Sequence, residues 1–195
     1  MKFNRAAAYA AGFLFMLAGF PAPAYNGDLS AYEESGDWFS AYFDHEGVRR
    51  VRMGTQAASD SNIFLNIDFD EQSRYKALVN LLKPNDEKGK VVYENPVNLP
   101  CQIRIDRNEI FDTTCQFGDD ENNDFLDLGS ELGLRFMQES AQGEFLRIKV
   151  TLPGDTGPEY IRFSLQGFEG AFNRLKQLWG QYFDSSNADA QDQKS

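Results

Sequence analysis

The chain has 195 residues, of which 30 are acidic and 19 basic, and its formal net charge is −11. A surface this acidic repels phosphate backbones and anionic lipids, which argues against nucleic acid as a partner. An acidic surface favours a cationic partner, such as a basic protein or a metal cation, and it also keeps a protein soluble without any partner.

The first 24 residues have the pattern of an export signal. Lys2 and Arg5 supply a positive start, residues 6–20 form an apolar run, and residues 22–24 match an A-x-A cleavage site. The run is too short to span a bilayer comfortably, so an uncleaved membrane anchor is the less favoured alternative. We therefore expect a signal peptide at 1–24 and a periplasmic or secreted protein.

Loss of the signal peptide would also remove Lys2 and Arg5, which leaves 17 basic against 30 acidic residues and a net charge of −13. No linker, internal repeat or second apolar run that could span a membrane follows. We expect one β-rich domain at 25–184 and a disordered tail at 185–195, with no transmembrane segment after cleavage.

Short apolar runs separated by turn residues predict a series of antiparallel strands. The predicted strands are residues 37–44, 48–53, 62–69, 91–100, 101–106, 110–115, 144–153 and 160–166. The run at 74–82 fits neither a strand nor a helix period, so both remain open. Residues 85–90 are predicted as a loop, and Pro96 and Pro100 predict that 91–100 is an edge strand.

Cys101 and Cys115 are the only cysteines, and export makes a disulfide between them the default interpretation. If residues 107–109 form the loop of a hairpin, Cys101 faces Cys115 directly and Ile105 faces Phe111. Closing a loop of this size stabilises a fold by about 3 kcal/mol. A redox pair is the alternative, but the spacing is not C-x-x-C.

Two helices are predicted in the second half of the chain. Ser130 is the predicted N-cap of a short helix that carries Leu132, Phe136 and Met137. The second helix begins after Gly167, where the hydrophobic period changes from that of a strand to that of a helix.

The apolar stripe of this second helix divides into two predicted halves. Residues 168–175 follow a strand through one glycine, so we expect them to pack on the sheet. Trp179, Tyr182 and Phe183 are expected to lie beyond the edge of the sheet, where they are candidate partner contacts.

These elements predict a mainly β fold, a β-sandwich-like antiparallel arrangement with a C-terminal α-helix packed on the sheet. An α+β fold is the alternative. Three arginines on the predicted hairpin, Arg49, Arg50 and Arg52, concentrate positive charge in an acidic protein and are further candidate partner contacts, although pairing with nearby carboxylates is the commoner use.

No residue pattern in the chain matches a catalytic site. His45 is the only histidine and lies at a predicted turn, and Ser130 is not in a G-x-S-x-G elbow.

The acidic loop at 119–124 lacks the glycine and glutamate positions of an EF-hand, so a solvated loop is favoured over a calcium site. Its weak candidate metal ligands are Asp119, Asp120, Glu121 and Asp124. We expect no cofactor and no enzymatic activity.

The order of elements from Phe125 onward, with "GEFLRIKVTLP" and "YIRFSLQGFEGAFNRL", resembles the end of exported bacterial proteins of the invasion-associated locus B type. It is also similar to the type VI secretion accessory proteins VasI and TagO. The matching positions are Ser164, Leu165, Gly167, Phe168, Ala171, Arg174 and Leu175. The resemblance covers about the last third of the chain after the signal peptide and implies an exported β-rich domain. It implies no catalytic residues.

The function expected from these patterns is that of an exported binding or accessory protein that acts through protein contacts, in the envelope, in secretion or in virulence. A periplasmic inhibitor or immunity protein against a basic hydrolase is the alternative, because the acidic surface would suit such a target. A carboxylate- or calcium-dependent hydrolase is a third, less favoured possibility.

Overall fold

A computed structural model describes residues 28–45, 47–72, 74–82, 96–119, 123–129 and 132–184. The predicted signal peptide, the loop at 85–90 and the C-terminal tail lie outside these residues. The elements in chain order are β1 (Asp28–Ser35), β2 (Trp38–His45), β3 (Val48–Gln56), β4 (Ile63–Asp70), β5 (Tyr75–Leu82), β6 (Val97–Ile105), β7 (Phe111–Asp119), β8 (Asn123–Asp127), α1 (Gly133–Gln142), β9 (Phe145–Val150), β10 (Glu159–Ser164) and α2 (Phe168–Tyr182).

The ten strands form one antiparallel sheet in the order β1-β2-β3-β4-β5-β8-β7-β6-β9-β10. The sheet curls back on itself, because Ala57, just past β3, bridges Phe163 of β10. The Ala58 N–H also donates to the Arg162 carbonyl at 2.8 Å. The prediction of a mainly β, sandwich-like fold with a C-terminal helix on the sheet is confirmed.

One apolar core includes side chains from nine of the strands and from both helices, and alternate residues of the strands face it. On β9 the buried residues are Leu146, Ile148 and Val150, as the alternation predicts. On α2 they are Phe168, Ala171, Leu175 and Leu178. Among the described residues, no helix is long and apolar enough to cross a membrane.

Gly167 is the junction between β10 and α2, and its backbone conformation requires glycine. Its φ is +92°, and a Cβ at this position would lie 1.7 Å from the Ser35 carbonyl oxygen of β1. The close approach lets β1 lie beside the start of α2.

Two strands were not predicted. β1 pairs with β2 but carries a register shift between Ser30 and Glu33, and Ala31 has a φ of 53°. The bulge removes the regular alternation that a sequence pattern detects. β8 is short, and most of its residues are polar.

Two further predictions concerned single strands. The ambiguous run at 74–82 is the strand β5, which pairs with β4 and β8. The structure describes only the end of the predicted edge strand at 91–100, and there the prediction is confirmed. Residues 97–100 pair with β7 alone, because β9 pairs with β6 only from Cys101 onward. Pro100 is tolerated there because the ladder with β9 begins only at Cys101, so no hydrogen bond to β9 needs its missing N–H.

The predicted register of the cysteine hairpin was wrong by two residues. Cys101 pairs with Thr113 and Ile103 with Phe111, so Cys101 and Cys115 are diagonal neighbours. The Asn108 N–H donates to the Ile105 carbonyl at 2.9 Å, so the turn begins earlier than predicted, at Asp106, whose φ is 47°. Its N–H donates to the Phe145 carbonyl at 2.9 Å, and its carboxylate accepts the N–H groups of Glu144 and Phe145.

The first helix, α1, starts at Gly133, and Leu132 occupies the N-cap position without a side-chain hydrogen bond. The predicted cap, Ser130, lies outside the described residues. Leu132, Phe136 and Met137 are buried, as the helical spacing predicts.

Candidate functional site

The three candidate arginines of β3 differ in their surroundings. Arg52 is buried and forms a two-pronged ion pair with Asp68 of β4, with N–O distances of 2.6 and 2.7 Å. Arg50 donates to the same carboxylate at 3.1 Å and keeps 30% of its side chain exposed. One carboxylate therefore serves two guanidinium groups, and Arg52 has a structural role.

Arg49 is the most exposed of the three. Its side chain is 42% exposed, and its Nε donates to Glu71 at 2.6 Å. Its guanidinium carbon lies 5.6 Å from the centre of the Phe183 ring, within the range of a cation–π contact. The start of β3 and the end of α2, which are far apart in sequence, are therefore in contact.

The aromatic residues at the end of α2 pack on the sheet, so the expectation that they lie beyond its edge was wrong. Tyr182 stacks on Tyr42 of β2 with ring centres 3.8 Å apart and an interplanar angle of 10°. The Trp179 indole N–H donates to the Asp70 carbonyl at 2.9 Å. The 15 residues of α2 are long enough to carry its last turn over β2 and the end of β4.

These contacts create one surface, which we call the arginine–aromatic rim. It consists of Val48, Arg49, Arg50, Tyr182 and Phe183. Val48 is 54% exposed, while Arg50, Tyr182 and Phe183 are half-buried. The rim combines cationic and aromatic side chains that remain partly accessible, which is the composition typical of protein interfaces.

A polar groove of about 700 Å³ adjoins the rim and runs from β3 across to β7. The charged side chains that line it are Arg49, Arg50, Arg74 and Lys76, with Asp68, Asp70 and Asp127. The lining thus has one more positive than negative group, although the whole chain carries −11. The groove is therefore a local exception to the acidic surface.

Ion pairs hold most of the charged groups of the groove in place. Arg74 donates to Asp70 at 2.6 Å, and the Lys76 Nζ lies 3.4 Å from Asp127. Arg74 and Lys76 remain 76% and 54% exposed, so these pairs contribute little to stability and leave donors accessible.

Tyr75 also lines the groove, and its hydroxyl is buried without a hydrogen-bond partner in the described part of the chain. Burial and, to a lesser extent, the charge of Asp127 raise the pKa of this hydroxyl. The group therefore stays protonated at neutral pH and is available as a donor.

The cysteine sulfurs lie at disulfide distance, with Cα atoms 5.9 Å apart, and both residues are buried.

The acidic loop falls largely outside the described residues, which exclude the candidate ligands Asp120 and Glu121 and the side chain of Asp119. Asp124 is at the start of β8, half-buried. His45 ends β2, and its side chain is likewise outside. Within the described ranges, no three His, Cys, Asp or Glu residues are placed to hold a metal ion.

Sequence reasoning missed the acidic partners of the arginines and the groove with Tyr75. The sequence did contain one indication of these ion pairs. The arginines at 50 and 52 are two residues apart, as are the aspartates at 68 and 70, so each pair lies on one face of its strand. Adjacent strands in register bring them together, but the register that pairs Arg52 with Asp68 is visible only in the sheet.

The fold has a counterpart among solved structures. It is similar to the crystal structure of invasion associated protein B from Bartonella henselae, with a TM-score of 0.52 and 18% sequence identity over 78% of this chain and 99% of that chain. At this identity the similarity concerns the fold. No protein-family profile and no curated protein matches the sequence.

Proposed function

We propose that this chain is an exported, non-enzymatic accessory protein that binds another protein through the arginine–aromatic rim. The observation that carries the proposal is the meeting of Arg49 with Phe183 on a surface that is otherwise acidic. Arginine and aromatic side chains contribute most of the energy at many interfaces, since they combine large contact area with donors.

The similarity in fold to an invasion associated protein supports a role in the envelope or in virulence. The export signal predicted at residues 1–24 supports a periplasmic or secreted location. The proposed partner is a protein with an acidic or mixed contact surface, because the rim and its groove are locally cationic.

Capture from an envelope extract tests the proposal when matched variants are compared. We expect Arg49→Glu and Phe183→Ala each to reduce the amount of captured partner at least about tenfold, which corresponds to about 1.4 kcal/mol of binding free energy. Arg162→Glu, a charge reversal at an exposed position of β10, is the matched control and should retain the partner. Circular dichroism and thermal unfolding confirm that the variants are folded.

Equal capture by all variants would contradict a contact at the rim. An inhibitor that acts through the acidic surface makes the opposite prediction, since Arg49→Glu would keep or strengthen capture of a basic hydrolase. Hydrolysis of peptidoglycan or of simple esters by the purified chain would contradict the non-enzymatic part of the proposal.

A further inference from the structure

A second cationic surface, separate from the rim and its groove, lies on the outer face of the sheet. Arg147 of β9 is directly opposite Arg104 of β6 on one side and Arg162 of β10 on the other. Lys149 is two residues further along β9 and lies on the same face. We call Arg104, Arg147, Lys149 and Arg162 the cationic row.

The side chains of the cationic row point away from the core. The residues between them along the strands, such as Ile103 and Ile148, are fully buried, so the alternation of a strand directs the row outward. Arg147 and Arg162 are exposed, and the other two cations are half-buried. The row is therefore accessible to a ligand.

No carboxylate balances the charge of the row. Glu159 is the only acidic residue of β6, β9 and β10, and it shares a strand face with the buried Ile161. Among the described residues, none of the four cations forms an ion pair, whereas Arg50 and Arg52 share Asp68. Like charges directly opposite each other destabilise a sheet, and a bound anion would offset that repulsion.

Neutral groups hold the guanidinium groups of the row in place. Arg104 donates to two carbonyl groups of the turn at 106–108, at 3.0 and 3.1 Å, and Arg147 donates to a third at 2.9 Å. The guanidinium carbon of Arg162 lies 3.6 Å from the centre of the Phe145 ring. Each guanidinium has five N–H donors, so most of them remain for a ligand. Side chains that are already held in place lose less conformational entropy on binding.

The spacing of the row indicates a ligand with several negative groups. A guanidinium binds carboxylate, sulfate or phosphate oxygens through two parallel N–H donors. With strands about 4.8 Å apart, the three arginines extend over about 10 Å, so a ligand with one charge would contact only part of the row. A polymer that carries repeated oxyanion groups would contact all of it.

The surroundings of the row favour a polysaccharide over a membrane or a nucleic acid. The whole chain carries −11, so an anionic membrane would also face acidic residues, whereas a single polymer strand meets only the row within the screening length of about 8 Å. Single-stranded nucleic acid needs exposed aromatic faces for its bases, but Phe145 is covered by Arg162. Tyr160, opposite Lys149, is 67% exposed and offers one ring for the apolar face of a sugar.

We propose that the cationic row binds an anionic polysaccharide, whose carboxylate or sulfate groups pair with the three arginines and with Lys149. The inference goes beyond the proposed function, since it concerns a different surface and a different class of ligand.

Isothermal titration calorimetry of the purified protein with defined polymers tests the class of ligand. The probes are heparin, which carries sulfate and carboxylate groups, polygalacturonate, which carries carboxylate groups alone, and neutral dextran. We expect heparin to bind and dextran not to bind, and polygalacturonate binds as well if carboxylate groups suffice. Failure of both anionic polymers to bind would overturn the proposal. Tighter binding of DNA or of phosphatidylglycerol vesicles would overturn the choice of a polysaccharide.

Arg147→Glu, in the middle of the row, tests the site. It should weaken heparin binding at least about tenfold, which corresponds to about 1.4 kcal/mol. It also places a carboxylate between Arg104 and Arg162, so the midpoint of thermal unfolding should stay the same or rise. Lys176→Glu makes the same change in charge at an exposed position of α2 and should bind heparin as the parent protein does. Equal weakening by the two variants would show a response to net charge alone and would overturn the site.

The row and the rim fail separately. Arg49→Glu should bind heparin as the parent protein does, and Arg162→Glu should lose heparin while it retains the protein partner of the rim. Loss of heparin binding in Arg49→Glu but not in Arg147→Glu would refute the row. Loss of heparin binding in Arg147→Glu, together with unchanged capture by the rim variants, would refute the rim and leave the row.

Discussion

Gly167 shows how a single residue sets the relation between β10 and α2. A side chain there would collide with the Ser35 carbonyl and would also occupy a left-handed backbone conformation. We predict that Gly167→Ala lowers the free energy of unfolding by at least about 2 kcal/mol, since the left-handed conformation alone costs about 1–2 kcal/mol.

The matched control is Gly180→Ala in the same helix, where nothing lies within 4 Å of an added Cβ. This change should stabilise the protein by about 0.5–1 kcal/mol, because alanine is the better helix former. Urea denaturation of the two variants measures both effects. A neutral Gly167→Ala would mean that β1 does not approach the helix as described.

The cluster of Arg50, Arg52 and Asp68 illustrates what a residue pattern can and cannot tell. The three arginines of one strand were visible as a concentration of charge, and pairing with carboxylates was the expected common use. The pattern could not tell that Arg52 is buried by its pair with Asp68 while Arg49 stays exposed. That division depends on which positions of β3 lie opposite β4 carboxylates in the folded sheet.

At the scale of elements, α2 combines a structural part with a part that remains accessible. Phe168 is fully buried and packs edge-on against Trp38, with ring centres 4.9 Å apart. We predict that Phe168→Ala lowers the free energy of unfolding by about 3–5 kcal/mol, because a large buried ring leaves a cavity.

Gln181→Ala, at an exposed position of the same helix, should stay within about 0.5 kcal/mol of the parent protein. Chemical denaturation monitored by tryptophan fluorescence measures the difference. Similar values for the two variants would contradict the packing of α2 on the sheet.

Elements with a regular hydrophobic period could be predicted from the sequence, and irregular ones could not. The alternation of β9 and β10 and the helical spacing after Gly167 gave the last third of the fold correctly. β1 was missed because a bulge breaks its period, and the register of the cysteine hairpin was missed because the turn begins at Asp106. At both places one residue, Ala31 or Asp106, has a positive φ, which a hydrophobic period does not reveal.

At the scale of the whole molecule, most of the charge is acidic, and the groove with its rim is a cationic exception. The candidate residues Arg49, Tyr182 and Phe183 could be named from the sequence, yet their meeting on one surface could not. The groove depends on which residues of β3, β4, β5 and β7 the folded sheet brings together.

The same arrangement suggests how a partner would be bound. The rim offers arginine and aromatic contact area beside the groove. Its accessible part includes Val48, which is 54% exposed.

The most direct test of the central claim is site-specific photo-crosslinking in cells that express the full chain. A photoreactive phenylalanine analogue replaces Val48 at the rim or, as the control, Tyr160, which is 67% exposed on β10. The bridge between Ala57 and Phe163 places β10 near the opposite end of β3 from Val48. We predict a crosslinked protein partner from position 48 and none from position 160. A partner crosslinked equally from both positions, or from position 160 alone, would contradict a contact at the rim.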